Sequence, residues 1–396
     1  MSILVYGGGF DPPHLGHLAA ADRAYGVLRP DRFLVIPDGI PPHKPLPPEA
    51  PDAETRLDLC RIAFQDRPWA EVLDFAIRRD GPSYMIDTVE ELEAQFPEET
   101  IVLLLGTDML LCFESWRGAK ELMARCTLAA LCRGEGERDE LERKAEELRH
   151  RYGARVQILE HGALPLCSSQ IRAELPRREG RASLSEACYR EIVRRRLYGA
   201  QPDLDWLMEQ VRAMLDPGRI AHVEGCAETA QCLARRWCID PDMAREAGIL
   251  HDCTKAWSNA EQLRYCDEMG VELDPVERQT SQLLHARTGA VAARSLFGAT
   301  EDVCDAIRWH TTGKADMDSF EMILYLADKI EPTRHYPGVD RIRALAMEDL
   351  SAAMQASLGL TVEDIRRKHR DVYKDTLDAC QWYSARVQEI KEEPLC

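Results

Sequence analysis

Two patterns of apolar and polar positions run along this chain, and they change over near residue 202. Before that point, short apolar runs bounded by glycine, proline or charge alternate with segments whose apolar residues recur at helical spacing. Residues 3–6, 32–37, 72–77, 101–105, 128–131 and 156–159 read as strands; 15–25, 54–64, 90–95, 135–151 and 186–198 read as helices. Strand alternating with helix predicts an α/β fold with a parallel sheet and crossover helices. Past the polar segment 199–205 the strand signals almost vanish. From there helix follows helix, with turns predicted at Gly218, Gly270, Gly298 and Gly338. Residues 1–201 are therefore expected to form an α/β domain and residues 202–396 an all-α one.

The first strand runs straight into GGGFDPPHLGH, from Gly7 to His17. Glycines make a tight loop, Pro12 and Pro13 stop the sheet, and His14 and His17 flank or enter the first turn of the next helix. Free amides and the positive end of the helix dipole converge there, which suits a phosphate chain. On residue types alone, a metal site or a surface histidine pair fits as well. Lys44 lies in a proline-rich segment after the second strand, at the carboxyl edge where such sheets bind ligands, and reads either as surface loop or as phosphate contact. Ser168 and Ser169 read as a helix cap or as phosphate ligands beside Arg172.

The whole string resembles the GGxFDPxHxGH signature of the nucleotidyltransferases related to class I tRNA synthetases. The resemblance implies a Rossmann-like domain in which Gly7, Gly8 and Phe10 shape the nucleotide loop and His14 and His17 contact the phosphates of ATP. The PPHK element with Lys44 is similar to one in the same enzymes. LCSSQIR resembles their ISSTxIR element, which implies that Ser168, Ser169 and Arg172 hold the outer phosphates, with Cys167 in place of the first serine. The SYMIDT, GTD and W-R elements look most like bacterial nicotinate-nucleotide adenylyltransferases, over residues 1 to about 199. That family joins nicotinate mononucleotide to the AMP part of ATP, accompanied by Mg, and releases pyrophosphate. The likeness implies nucleotide contacts at Tyr84, Asp108 near a ribose and Trp116 against the pyridine ring. Met85 stands where members commonly carry threonine, and Gly9 likewise. A different acceptor, nicotinamide mononucleotide or phosphopantetheine, is the alternative.

The helical half holds His222, the adjacent His251 and Asp252, His285, His310 and Asp328, each near the end of a helical segment. Singly, each has a plain structural reading, such as a hydrogen-bonded core or surface histidine. Together, six nitrogen and carboxylate donors exceed what one tetrahedral zinc uses and suit iron, manganese or a similar metal. The order H, HD, H, H, D resembles the HD-domain metal phosphohydrolases, and HDCTK, LLHARTGA, AIRWHTTG and LADKIEPTR look like their YqeK branch, the symmetrical bis(5'-nucleosyl)-tetraphosphatases. That implies cleavage of diadenosine tetraphosphate into two ADP by an iron or other divalent metal pair, and a homodimer. Lys255 and Arg334 are candidate phosphate contacts. The alternative is a nucleotide-binding regulatory module, or action on another phosphoester.

Composition narrows the partners. A formal charge of −18 over 396 residues argues against nonspecific binding to nucleic acid or anionic membrane. No apolar run is long enough to span a bilayer, and the chain begins directly with the first strand, without a signal peptide. The 14 cysteines are scattered without a CxxC pair, so reduced thiols in a cytoplasm are expected.

Overall fold

A computed structural model describes all residues except 43–45, 133–134, 161–163, 165 and 393–396, and not the side chains of 135 and 389–392. The chain forms two compact units, Met1–Gln201 and Pro202–Cys396.

The first unit is built on a parallel 6-stranded sheet in the order β3-β2-β1-β4-β5-β6. The strands are β1 (Ser2–Gly8), β2 (Arg32–Pro37), β3 (Ala70–Val72), β4 (Thr100–Gly106), β5 (Thr127–Cys132) and β6 (Arg155–Glu160). Side chains alternate between its faces, as strand geometry requires. Ile3, Val5, Leu34, Ile36, Leu103 and Leu105 enter one core. Leu4, Tyr6, Phe33, Val35, Leu104 and Leu131 enter the other. Burial on both faces explains the unbroken apolar runs. β1 pairs with β2 on one side and β4 on the other. Chain order thus reverses at β1, and the crevice beyond the carboxyl ends of β1 and β4 is where such sheets bind ligands.

Several elements differ from the sequence expectation. The third strand ends at Val72, where residues 72–77 were expected. As an edge strand it has only β2 to pair with, and at Asp74 the chain turns, the Asp74 carbonyl accepting from Ile77 at 2.9 Å and Arg78 at 3.0 Å. The helix expected over 90–95 starts earlier and spans Met85–Gln95, because the SYMIDT segment enters it directly from Tyr84. The helix expected over 186–198 is Glu186–Arg194, capped by Ser185 and ended where Arg196 and Tyr198 take left-handed backbone. Gly218 is no turn between helices: it lies in the first turn of Pro217–Arg236, begun by Pro217.

The second unit is helical throughout its described elements. Pro217–Arg236 and Pro241–Leu250 pack with Gly248 against Ala227, so closely that a Cβ at 248 would lie 2.6 Å from the Ala227 Cα. Ser281–Phe297, Glu301–Trp309 and Ser319–Ile330 complete the group that carries the candidate ligands. Among the described residues, no helix is long and apolar enough to cross a membrane.

Candidate functional sites

A cavity of about 370 Å³ opens at the carboxyl ends of β1 and β4 in the first unit. Gly7, Gly8, Phe10 and His17 line it from the first loop, Trp116 from beyond β4, and Ser168 and Arg172 from the helix Ser168–Glu174. His14 is the N-cap of Leu15–Leu28 and stacks on His17, ring centroids 3.7 Å apart, behind the wall rather than in it. The His14 backbone N–H donates to His17 Nδ1 at 3.2 Å. In the neutral His17 ring the proton therefore sits on Nε2 as a donor.

Two clamps fix this cavity. Arg172 Nη1 donates to the Asp11 carbonyl at 2.6 Å and lies 3.2 Å from the Asp11 carboxylate, while Ser168 Oγ donates to the Pro12 carbonyl at 3.2 Å. The serine and arginine of the late motif are thus held against the early one. The second clamp is Arg56, buried at 1% exposure, whose Nη1 and Nη2 donate to the Gly9 and Gly39 carbonyls, each at 2.8 Å. It ties the loop after β1 to the loop after β2. Beside it on the cavity wall, burial pushes the Asp38 carboxyl up to about 7, opposed by the Arg56 charge.

Other predicted contacts lie around the cavity without lining it. Asp108 is exposed in the first turn of Thr107–Leu111, after β4. The Arg117 guanidinium sits 4.6 Å over the Tyr84 ring. Ser169 Oγ is 2.9 Å from Cys167 Sγ, so the cysteine keeps a polar contact at that turn. Met85 lines the cavity, and a Cβ at Gly7 would meet its Cε at 2.6 Å. Lys44 lies outside the described residues. Asp11, Arg56 and Asp38 were not singled out in the sequence, although Asp11 is inside the glycine motif.

In the second unit His222, His251, Asp252, His285, His310 and Asp328 come together, all buried. His222 Nε2 is 3.2 Å from both His251 Nε2 and Asp328 Oδ1. His285 Nε2 is 3.2 Å from His310 Nε2. Asp252 stands between the two sets: Oδ2 lies 3.5 Å from His251, and Oδ1 lies 3.3 Å from His285. The opposite ring nitrogens turn outward. Nδ1–H of His251 donates to the Gly248 carbonyl at 2.7 Å, that of His310 to Ile307 at 2.6 Å, and that of His222 to the Glu331 carboxylate at 3.0 Å. These bonds set the tautomer that leaves the Nε2 lone pairs facing inward, the form that ligates metal.

The charge states agree in part: burial opposes protonation of His251, yet the neighbouring Cys226 and Asp252 hold its imidazole well above the ordinary value, so a divalent ion has to displace that proton. Burial together with the charges of His251 and His285 holds the His310 imidazole well below its ordinary value, so it is neutral. Burial opposes ionisation of Asp252 and Asp328, yet His251 beside the first and Lys329 beside the second hold both carboxyls well below the usual range. Neutral imidazoles and ionised carboxylates are the donors a divalent ion takes. Cations rim the cluster. Arg219 Nε donates to Asp252 Oδ2 at 2.7 Å, Lys329 Nζ to Asp328 Oδ2 at 2.9 Å and Arg334 Nη2 to Asp328 Oδ1 at 2.6 Å. Lys255 Nζ reaches His285 Nε2 at 2.9 Å. Arg219 and Lys329 were not anticipated; Arg219 is one turn before His222 on the same helix, which is the signal that marks it.

Residues 5–174 match the cytidylyltransferase-like family model, and residues 219–333 match that of the HD domain. A probable nicotinate-nucleotide adenylyltransferase of Symbiobacterium thermophilum is 36% identical over 170 residues, 43% of this chain and 81% of that protein. A symmetrical bis(5'-nucleosyl)-tetraphosphatase of Halalkalibacterium halodurans is 36% identical over 171 residues, 43% of this chain and 91% of the relative. A Mycoplasma pneumoniae protein named probable nicotinate-nucleotide adenylyltransferase/Ap4A hydrolase is 25% identical over 362 residues, covering 90% of this chain and 97% of its own.

Proposed function

Since the first half of the chain belongs to the nicotinate-nucleotide adenylyltransferase family and the second to the HD-domain symmetrical bis(5'-nucleosyl)-tetraphosphatase family, we propose that this one polypeptide carries out both reactions. It is a bifunctional enzyme. In the first reaction a phosphate oxygen of nicotinate mononucleotide attacks the α-phosphorus of ATP, the bond to the β-phosphate breaks, and pyrophosphate leaves with nicotinate adenine dinucleotide formed. In the second, water adds across the central P–O–P bridge of diadenosine tetraphosphate, its OH to one inner phosphorus and its proton to the departing oxygen, giving two ADP.

We assign adenylyl transfer to residues 1–201. His17, on the cavity wall, donates to a phosphate oxygen as charge builds there, His14 holds the ring of His17, and Arg172 with Ser168 and Ser169 takes the outer phosphates. Gly7, Gly8 and Phe10 shape the loop; Trp116 offers its face to the pyridine, with Tyr84 and Asp108 flanking. Lys44 is a further phosphate contact. Mg accompanies ATP.

Phosphohydrolysis belongs to residues 202–396, and the observation that carries it is the convergence of the Nε2 atoms on Asp252, each Nδ1 bond aimed away. His222, His251 and Asp328 would hold one ion, His285 and His310 a second, with Asp252 between them. The pair, iron or another divalent metal, polarises phosphoryl oxygens when bound. Lys255, Arg334, Arg219 and Lys329 neutralise the polyphosphate at the rim. A homodimer in a cytoplasm completes the proposal, and light scattering of the purified chain checks the assembly.

The full-length protein, its metal content measured first, is incubated with diadenosine tetraphosphate and the products are separated by chromatography. Two ADP per substrate are expected. ATP plus AMP overturns the symmetrical assignment, and an inert, metal-loaded protein overturns the hydrolase. Pyrophosphate release with nicotinate against nicotinamide mononucleotide tests the acceptor, where Met85 lines the cavity.

A further inference from the structure

We infer that Glu331 is the positioning residue of the metal centre and that Gly225 is the notch that admits it. The inference rests on the metal-centre reading above and extends it to residues that are not themselves among the metal donors. Glu331 is fully buried where the helix Ser319–Ile330 ends. Its Oε1 accepts the Nδ1–H of His222 at 3.0 Å and the hydroxyl of Thr333, and its Oε2 accepts the Thr333 backbone N–H at 2.6 Å. Arg334 Nε lies 3.6 Å from Oε1. The carboxylate therefore has one orientation, and through Nδ1 it gives the His222 ring one orientation too.

That constraint bears on His222 more than on His251 or His310; His285, also inside a helix, turns Nδ1 to the Ser281 carbonyl of its own helix at 3.3 Å. His251 and His310 donate Nδ1–H to carbonyls of the helices they terminate, so the backbone itself fixes their rings. His222 sits inside a helix, where the nearby carbonyls are engaged in the helical ladder. Its Nδ1 takes a partner from another element, the Glu331 carboxylate, whose negative charge strengthens the imidazole as a donor to metal.

Gly225 is one turn further along the same helix. A Cβ there would lie 2.8 Å from Glu331 Oε2 and 3.3 Å from Pro332 Cδ. A glycine inside an exposed helix is a cost; here it lets the carboxylate come against the helix backbone. If Glu331 served only to cap the turn through Thr333, its loss would lower stability and leave metal affinity unchanged.

The test uses full-length protein stripped with chelator and titrated with Mn2+, free Mn2+ being followed by its paramagnetic resonance signal. Glu331→Ala is expected to weaken binding by about 10–100-fold, the range for outer partners of ligand histidines. Glu331→Gln keeps an acceptor for Nδ1–H without the charge and is expected to fall between the two. Gly225→Ala keeps every charge and is expected to weaken Mn2+ in the same direction. Helical circular dichroism of the stripped proteins identifies variants that fold. A folded Glu331→Gln or Glu331→Ala protein that binds Mn2+ as tightly as the unsubstituted chain overturns the inference. Unsubstituted protein that binds no Mn2+, iron or zinc overturns the metal centre itself, a separate result.

Discussion

The two candidate sites solve the problem of handling phosphate by opposite means. In the first unit the binding surface is a shaped loop: glycines, a helix N-terminus and the side chains of His17, Ser168 and Trp116, with guanidinium nitrogens of Arg56 and Arg172 bonded to carbonyls that hold loops in place. In the second unit the working groups are side chains packed at 0–6% exposure between helices, with backbone carbonyls demoted to orienting them. A reaction that needs charge placed around a mobile triphosphate can be run by a shaped loop. One that needs metal requires donors whose rotation is stopped on every side.

Breaking the comparison should therefore give separable failures. The largest effect is expected at the donor set. His251→Ala or Asp252→Ala should reduce tetraphosphate cleavage by more than the roughly hundredfold that loss of an outer partner costs, while pyrophosphate release from the first site stays within about twofold, an additivity expected of sites without shared partners. Next, His17→Ala should lower adenylyl transfer about 10²–10³-fold, as for loss of one donor to a developing charge, with two-ADP production unchanged.

A smaller, mixed effect is expected from Arg56→Met. It removes two charge-assisted bonds from half-buried carbonyls, so the first unit should lose about 3 kcal/mol in denaturant unfolding, and the KM for ATP should rise more than kcat falls. The smallest concerns Asp38. Its carboxyl is pushed up to about 7, so the native state holds this proton more firmly than the unfolded chain does. The resulting stability is full below the ordinary carboxylate value and is lost as pH rises through 7. Asp38→Asn has nothing to lose in that window. Its thermal midpoint should exceed that of the unsubstituted protein at pH 8, and the gap should narrow steadily as pH falls from 7 toward 4.

Much of this was legible in the chain itself, for a physical reason. The α/β and all-α halves follow from apolar periodicity, and Gly7–His17 or His251–Asp252 are strings in which neighbouring residues do one job. What stayed hidden depends on distant partners. Arg56 meets Gly9 across 47 positions and Glu331 meets His222 across 109, and no local pattern distinguishes either from an ordinary surface charge. The edge strand was overestimated for the same reason: Leu73 to Ile77 is apolar enough for a strand, but whether a ladder continues depends on a neighbour that the segment does not contain.

β1 is hydrogen-bonded along both edges, to β2 as far as Gly8 and to β4 as far as Val5, and the glycine loop hangs from its end. An amide in the middle of such a strand cannot reach solvent by fraying, because two ladders must part before it does. Deuterium should enter Leu4 and Val5 only when the whole unit opens. The phosphate cradle thus inherits a doubly paired, slowly exchanging strand as its foundation.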